Sequence, residues 1–207
     1  MNSTFRPYKT GDLIRCAELS VDAWPIVSLF AEKENVTKFM QAYVELSLAL
    51  SNYTEVCCDN EKVVGLLLGS TGKTRISKKE KQENRKLLWR FTTCKYGRII
   101  GRFKFLLAFM ISMIKFELFC SRFDGEVVLF VVDREYRGQG IGRALLDHFL
   151  KYANEQEAKT IYISTDIESN WYFYEKYGFK KYREFHDNGL SVMKGRKINS
   201  FIYYYEL

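Results

Sequence analysis

The spacing of apolar and polar residues predicts strands and helices along most of the chain. Short apolar or alternating runs predict strands at residues 4–8, 54–58, 63–68, 126–132, 160–164, 181–186 and 200–206. Apolar residues at three- and four-residue steps predict helices at 11–31, 36–50 and 140–156, and a shorter helix at 170–177. A central strand–helix–strand unit flanked by antiparallel strands is typical of a mixed α/β sheet with helices on both faces.

Residues 71–122 form a basic and apolar segment that interrupts this pattern between the third and fourth predicted strands. The 14 Lys and Arg residues of the segment, against three Glu residues, give it a net charge of +11, whereas the whole chain carries +7. The pattern predicts a mostly solvated helix at 76–90 and a second helix at about 99–119 that is apolar on most sides. We predict a single domain over residues 1–207, interrupted by a helical insertion at about 71–122.

The second predicted helix of the insertion has three interpretations. Its longest uncharged run, 105–114, has ten residues, about half of the roughly 20 that cross a bilayer. A buried or lid helix is the favoured interpretation, and an interfacial membrane helix or a partner surface, including a homodimer interface, are the alternatives. We expect no nucleic-acid partner, because no recognition module surrounds the basic residues.

The cysteines and the N-terminal residues indicate a cellular compartment. The five cysteines are odd in number and lack Cys-x-x-Cys spacing, so neither a disulfide framework nor a zinc site is predicted. Arg6 and Asp12 stand where a secretory signal would need apolar residues. We therefore expect a cytoplasmic protein with free thiols and no metal.

A glycine-rich turn at 137–143 gives the clearest indication of a ligand. Its sequence, Arg-Gly-Gln-Gly-Ile-Gly-Arg, lies between the strand at 126–132 and the helix at 140–156. Glycines let the backbone approach a ligand closely, and the first amides of a helix have no intrahelical partner. We expect this turn to bind a phosphate group through the backbone of Gly138, Gln139, Gly140, Ile141, Gly142 and Arg143, with the guanidinium groups of Arg137 and Arg143 adding charge.

The spacing of the glycines excludes two common phosphate-binding motifs, one in this turn and one at residues 72–74. In a Gly-x-Gly-x-x-Gly dinucleotide fingerprint the third glycine would fall at Arg143 or Leu145. Residues 72–74 (GKT) imitate the end of a P-loop, but Leu67 stands in the place of its first glycine. The turn instead fits Arg-x-x-Gly-x-Gly.

This turn resembles the pyrophosphate loop of the GNAT superfamily of N-acetyltransferases, which has Arg/Gln-x-x-Gly-x-Gly/Ala after a splayed parallel strand. Residues 170–179 (NWYFYEKYGF) are similar to the family's Tyr-x-x-x-Gly-Phe near its acetyl-transfer centre. Residues 5–8 (FRPY), followed by Asp12, resemble its first strand and turn. The matched segments follow the family's order over most of the chain except 71–122. The resemblance implies a mixed, mostly antiparallel sheet with a splayed parallel strand pair, and acetyl-CoA as the acetyl donor.

The resemblance also implies two catalytic residues. An amine with a pKa of about 10.4 must lose a proton before it attacks a thioester, and a weak acid helps a leaving thiolate with a pKa of about 8.5. Tyr174 stands where the family has a tyrosine beside the cofactor sulfur, and its alternative role is that of an aromatic core residue. Glu126 stands where some members have a base, and we expect it to share a strand face with Val128, Phe130 and Val132. Its alternative role is that of a solvated strand-end carboxylate.

Three further residues are expected to contact the donor. Phe130 and Val132 would offer backbone groups to the pantetheine arm, which adds to the splayed strand like a short extra strand. Many family members have a cofactor-binding asparagine seven residues before the tyrosine, where this chain has Ile167. Asn170 is the candidate that takes its place.

The expected function is direct acetyl transfer from acetyl-CoA to an amine of an unidentified small molecule or peptide, in a ternary complex. The insertion enters next to the strands of the cleft, so we expect it to shape the acceptor pocket and its basic residues to suit an acidic acceptor. An alternative is a non-catalytic acyl-CoA-binding or scaffold protein that docks an anionic partner through the insertion. A longer acyl-CoA donor is a third interpretation.

Overall fold

The computed structural model describes residues 3–23, 33–72, 107, 111, 112, 114–116 and 118–207. Their strands are β1 (Ser3–Pro7), β2 (Tyr53–Asp59), β3 (Lys62–Thr71), β4 (Gly125–Val132), β5 (Thr160–Asp166), β6 (Lys180–His186) and β7 (Asn199–Glu206). Their helices are α1 (Leu13–Ala23), α2 (Lys33–Ala49), α3 (Ile141–Glu155), α4 (Tyr172–Tyr177) and α5 (Asn188–Lys194). The described residues from 107 to 120 are also helical, and we refer to them as the insertion helix.

The strands form one sheet in the order β1-β2-β3-β4-β5-β7-β6. Every neighbouring pair is antiparallel except β4 and β5, which are parallel. These two strands pair only from Gly125 to Val127 and from Ile161 to Ile163, although both continue beyond that point. Their C-terminal halves therefore diverge and leave a wedge in the middle of the sheet. The predicted mixed, mostly antiparallel sheet with a splayed parallel pair is confirmed.

A separate apolar core covers each face of the sheet. Helices α1 and α2 pack on one face, which we call the α2 face, and helices α3 and α4 pack on the other, which we call the α3 face. Phe149 of α3 is fully buried and lies so close to β3 that a Cβ atom at Gly69 would be 2.3 Å from its ring. Only glycine allows this approach, which sets the distance between α3 and the sheet.

A β-bulge in β4 changes which face of the sheet the following side chains occupy. Leu68 pairs with Leu129 and Gly69 pairs with Val127, so Val128 is an extra residue in β4. The side chain of Val128 packs in the core of the α2 face, whereas those of Phe130 and Val132 pack in the core of the α3 face. The predicted common face for residues 126, 128, 130 and 132 is therefore wrong, because a bulge shifts the alternation of side chains by one residue.

One helix of the structure was not predicted from the sequence, and two predicted segments lie outside the described residues. Helix α5 was missed, although the Asp187 side chain accepts a hydrogen bond from the Leu190 amide at its start and Gly195 ends it with φ of +64°. Those are the ordinary signals of a short helix. The predicted helix at 76–90 and residues 24–31 of the helix predicted at 11–31 lie outside the described residues, and the described part of that second helix ends with α1 at residue 23.

Hydrogen bonds and aromatic contacts hold the insertion helix against β6 and the connection between β6 and β7. The Ser112 hydroxyl donates to Asp187 Oδ1 at 2.8 Å and accepts from the Gly189 amide at 2.9 Å, and all three groups are buried. The Lys115 ammonium donates to the His186 carbonyl at 3.1 Å. Phe116 and Phe119 pack edge-on against Phe185 of β6. None of the helices in the described ranges is long and apolar enough to cross a membrane.

Candidate active site

The wedge between β4 and β5 exposes backbone groups of β4. The Asp133 amide donates to the Val64 carbonyl of β3 at 2.8 Å. Because backbone groups of successive residues in a strand point to opposite sides, those of Phe130 and Val132 point away from β3 and into the wedge. The Val132 carbonyl already accepts a hydrogen bond from Arg137 Nε at 3.1 Å. The groups offered to an extended ligand are thus those of Phe130 and the Val132 amide.

The glycine-rich turn follows β4 at the open end of the wedge. Gly138 and Gly140 have φ of +79° and +84°, a conformation that glycine adopts without strain. In the described part of the chain, the amides of residues 138–143 donate no hydrogen bond to another protein group. Helix α3 begins here with no acidic residue in its first turn, so the positive end of its dipole is not neutralised. This arrangement suits an anion such as a pyrophosphate.

The side chains of the turn either pack inward or lie in solvent. Ile141 is buried in the core of the α3 face, and a Cβ atom at Gly142 would be 3.3 Å from the Phe130 ring. The start of α3 therefore rests directly on β4. Arg137 is exposed, and the Arg143 guanidinium lies 5.6 Å from the centre of the Tyr177 ring, with its side chain 70% exposed. Both cations border the turn, whereas the Gln139 side chain donates to the Glu135 carbonyl.

Tyr174 lies on the α3 face, buried in α4 beside the wedge. Its ring is 6.4 Å from that of Phe130 and 6.3 Å from that of Tyr203, measured between centroids. Burial, and secondarily the negative charge of Asp166 at the end of β5, raise the pKa of Tyr174 above its ordinary value of 10. The hydroxyl therefore keeps its proton across the physiological pH range and is able to donate it.

Glu126 lies among tyrosines on the α2 face. It is the register partner of Tyr162 at the closed end of the wedge, and its carboxylate interacts with the hydroxyl of that residue. Burial and the charge of Glu126 raise the pKa of Tyr43, on α2, to about 12. Burial, followed by Glu126 and then Cys120, raises the pKa of Tyr162 strongly. We call Tyr43, Cys120, Glu126 and Tyr162 the Glu126 cluster.

The Glu126 cluster joins side chains of four structural elements. Tyr43 belongs to α2, Glu126 and Tyr162 to the paired ends of β4 and β5, and the buried Cys120 to the end of the insertion helix. Sequence reasoning missed three of its four members. The register of two neighbouring parallel strands would have indicated Tyr162, but no local pattern indicates Tyr43 or Cys120.

Asn170 lies in the loop between β5 and α4, two residues before α4. Its side chain is exposed, and its carbonyl accepts a hydrogen bond from the Phe173 amide at 3.1 Å. The side chain of Ile167 is 52% exposed, and its amide is bonded to the Asn199 carbonyl. The loop that carries both residues is held by Asp166, which accepts hydrogen bonds from the Glu168 and Ser169 amides.

Among the described residues, the structure shows neither a group of metal-binding side chains nor a disulfide bond. These residues contain no group of three His, Cys, Asp or Glu side chains placed to hold a metal ion. Cys16, Cys57, Cys58 and Cys120 are buried and form no disulfide bond in this structure.

Comparisons with known proteins agree with the geometry of the wedge. A sequence model described as the Acetyltransferase (GNAT) family matches residues 18–179. Comparison with curated protein sequences gives no significant match.

Solved structures of similar fold cover the whole chain at low identity. Ard1 from Thermoplasma volcanium is 18% identical with a TM-score of 0.52, over 100% of this chain and 99% of that one. NAA60 from Arabidopsis thaliana, solved with a bisubstrate analogue, is 16% identical with a TM-score of 0.56, over 99% and 98%. The ribosomal-protein-S18-alanine N-acetyltransferase from Escherichia coli is 11% identical with a TM-score of 0.52, over 99% and 93%. At these identities the likeness shows the fold.

Proposed function

Because the chain belongs to the GNAT family of acetyltransferases, we propose that it transfers an acetyl group from acetyl-CoA to an amine by direct transfer in a ternary complex. The observation that carries the proposal is the wedge, with backbone groups of β4 along its side and a row of amides at 138–143 at its open end. An extended pantetheine arm pairs with β4, and the pyrophosphate accepts hydrogen bonds from the turn.

The residues of the turn fit such a ligand. Six consecutive amides, the start of α3 and two bordering guanidinium groups provide donors and positive charge without a competing carboxylate in the first turn of the helix. Open space surrounds Gly138 and Gly140, where an added Cβ atom would meet nothing within 4 Å. A phosphate can therefore approach the backbone directly.

The chemistry requires one base and one acid close to the thioester, and the two candidates lie on opposite faces of the sheet. Bound acetyl-CoA supplies the acetyl group as a thioester, whose carbonyl carbon the amine nitrogen attacks with release of the thiolate. On the α2 face, Glu126 accepts the proton that the acceptor ammonium must lose, directly or through water. On the α3 face, Tyr174 holds a proton for the departing sulfur.

The acceptor approaches Glu126 from the α2 face, between α2 and the insertion helix. Tyr43 interacts with the charge of Glu126 and Cys120 with Tyr162, and the Ser112–Asp187 hydrogen bond fixes the insertion helix against the connection between β6 and β7. The insertion thus forms one wall of the acceptor pocket. A carboxylate among tyrosine rings suits the ammonium group of an acceptor amine.

Calorimetric titration with acetyl-CoA tests the donor site. The variant Arg137→Ala/Gly140→Asp removes one cation and places a carboxylate in the turn, and we expect it to weaken binding by about 100-fold or more. Gly195→Asp is the matched control, because Gly195 also has a positive φ and open space but lies at the end of α5. Absence of binding by folded wild-type protein, or equal binding by both variants, would refute the donor assignment.

A further inference from the structure

Arg143, the last residue of the glycine-rich turn and the third of α3, makes two contacts that leave its hydrogen-bond donors unused. Its guanidinium carbon lies 5.6 Å from the centre of the Tyr177 ring, and its Nε lies 3.9 Å from Asp147 Oδ2. The second distance is too long for a hydrogen bond. Within the described ranges, no protein group accepts a hydrogen bond from this guanidinium.

Tyr177 is held at the end of α4 by aromatic packing and by one hydrogen bond. Its ring lies 5.8 Å from those of Phe179 and Tyr205, measured between centroids, and its hydroxyl donates to Asp147 Oδ1. Burial, and secondarily this hydrogen bond, raise the pKa of Tyr177 above its ordinary value of 10, so the hydroxyl remains a donor at physiological pH. Tyr177 therefore ties a carboxylate of α3 to α4.

Asp147 is placed to compete with a ligand for Arg143. It is the first acidic residue of α3 and follows Arg143 by one helical turn. Oppositely charged side chains four residues apart on a helix are neighbours and readily pair. A closed pair would occupy the guanidinium and neutralise its charge beside the turn. The hydrogen bond from Tyr177 engages one carboxylate oxygen while the other stays 3.9 Å from Nε, so the pair remains open.

From these contacts we infer that Tyr177 and Asp147 are positioning residues that keep Arg143 available for a phosphate group of the donor. The inference rests on the proposed function, which places the pyrophosphate at the turn. The Tyr177 ring supports the guanidinium through a cation–π contact and leaves its N–H groups to an anion. The Tyr177 hydroxyl holds back the competing carboxylate. A phosphate oxygen is an acceptor that these N–H groups and the amides of residues 138–143 can share.

Calorimetric titration of a set of variants with acetyl-CoA tests the inference. Arg143→Gln should raise the Kd by about tenfold, the cost of one charge-assisted bond at an exposed position. Tyr177→Phe keeps the ring but removes the hydroxyl, so Asp147 can close on Arg143 and the Kd should rise by about two- to fivefold. The double variant Tyr177→Phe/Asp147→Asn lacks the competing charge and should return to the wild-type Kd. Tyr172→Phe is the matched control, because Tyr172 lies on the same helix and is 59% exposed.

A purely structural role of the Tyr177–Asp147 bond predicts a different pattern. Loss of a bond that only joins α3 to α4 would weaken binding equally with and without Arg143, and Asp147→Asn would not reverse the loss. We expect instead that Tyr177→Phe has no effect on the Kd in the Arg143→Gln background.

Three outcomes would overturn the inference without affecting the proposed acetyl transfer. They are an unchanged Kd in Tyr177→Phe, an equal loss in both Arg143 backgrounds, and failure of Asp147→Asn to restore binding. Absence of acetyl-CoA binding by the folded wild type is distinct from these, because it would refute the donor site itself and this inference with it.

Discussion

The two sides of the wedge are built in different ways. On the α3 face, the proposed donor site consists of the contiguous turn 137–143, the start of α3 and the nearby Tyr174, and it offers mainly backbone groups to a ligand. On the α2 face, the Glu126 cluster consists of side chains from four structural elements, one of them the insertion helix. A ligand bound by backbone groups tolerates any side chain whose residue can adopt the required backbone conformation. A ligand bound by a cluster of side chains depends on the identity of each of them. The proposed donor side is therefore suited to one common cofactor, and a change of acceptor would require changes in the side chains of the α2 face.

Loss of the proposed acid on the α3 face should have the largest effect. Tyr174→Phe removes the proton donor and leaves the aromatic packing with Phe130 and Tyr203, so kcat should fall by about 10²–10⁴ while the Kd of acetyl-CoA changes little. Steady-state kinetics, with any amine that serves as acceptor, and calorimetry measure the two quantities.

The neighbouring Tyr172 provides the control for this prediction. It belongs to the same helix but is 59% exposed, so Tyr172→Phe should leave kcat unchanged. Equal kcat for Tyr174→Phe and the wild type would remove the acid role. Binding of acetyl-CoA without turnover on any amine would favour a non-catalytic acyl-CoA-binding protein.

Loss of the proposed base on the α2 face should reduce kcat somewhat less, because a water molecule can relay the proton. We expect Glu126→Gln to lower kcat by about 10²–10³ at neutral pH, with the Kd of acetyl-CoA unchanged. The defect should shrink as the pH approaches the pKa of the acceptor amine, about 10.4 for a lysine-like group, because more of the amine is then already deprotonated. A kcat profile against pH for both proteins measures this convergence.

Glu155→Gln is the control for the loss of a carboxylate, since Glu155 is exposed at the end of α3. Parallel pH profiles for Glu126→Gln and the wild type, with no convergence at high pH, would show that Glu126 does not act as the base. An unchanged kcat at neutral pH would assign proton removal to water bound elsewhere.

The same contrast explains what could be predicted from the sequence. The strand before the turn, its glycines and α3 follow one another in the chain, and local patterns predict each of them, whereas Tyr174 is indicated by the resemblance to the family. The bulge at Val128 and the pairing of Glu126 with Tyr162 arise from the packing of strands that lie far apart in the sequence. Strict alternation therefore placed Glu126 with Phe130 and Val132, on the wrong face of the sheet. The contact of Cys120 with this cluster depends on an insertion whose docking no local pattern describes.

A smaller effect is expected from the tyrosine that pairs with Glu126. Tyr162→Phe removes the hydroxyl that interacts with the carboxylate and keeps the ring contact with Phe123. Loss of one such hydrogen bond should raise the KM of the acceptor by about 2- to 20-fold and leave the Kd of acetyl-CoA unchanged. Tyr182→Phe, on β6 beside the same Phe123, is the control. An effect of Tyr162→Phe on acetyl-CoA binding alone would contradict the division of the site into two sides.

The smallest effect concerns the pH dependence of the donor side. Asp166 contributes to the raised pKa of Tyr174, after burial itself. Because the acid acts in its protonated form, a raised pKa keeps it competent until the pH exceeds 10, and kcat should fall only beyond that point. In Asp166→Asn the negative charge is lost, so the pKa of Tyr174 should decrease and the alkaline limb of kcat should move to lower pH by less than about one unit. The asparagine can still accept the bonds from the Glu168 and Ser169 amides, so the loop should keep its conformation. An unmoved limb in a variant of wild-type Tm would show that a group other than Tyr174 supplies the proton.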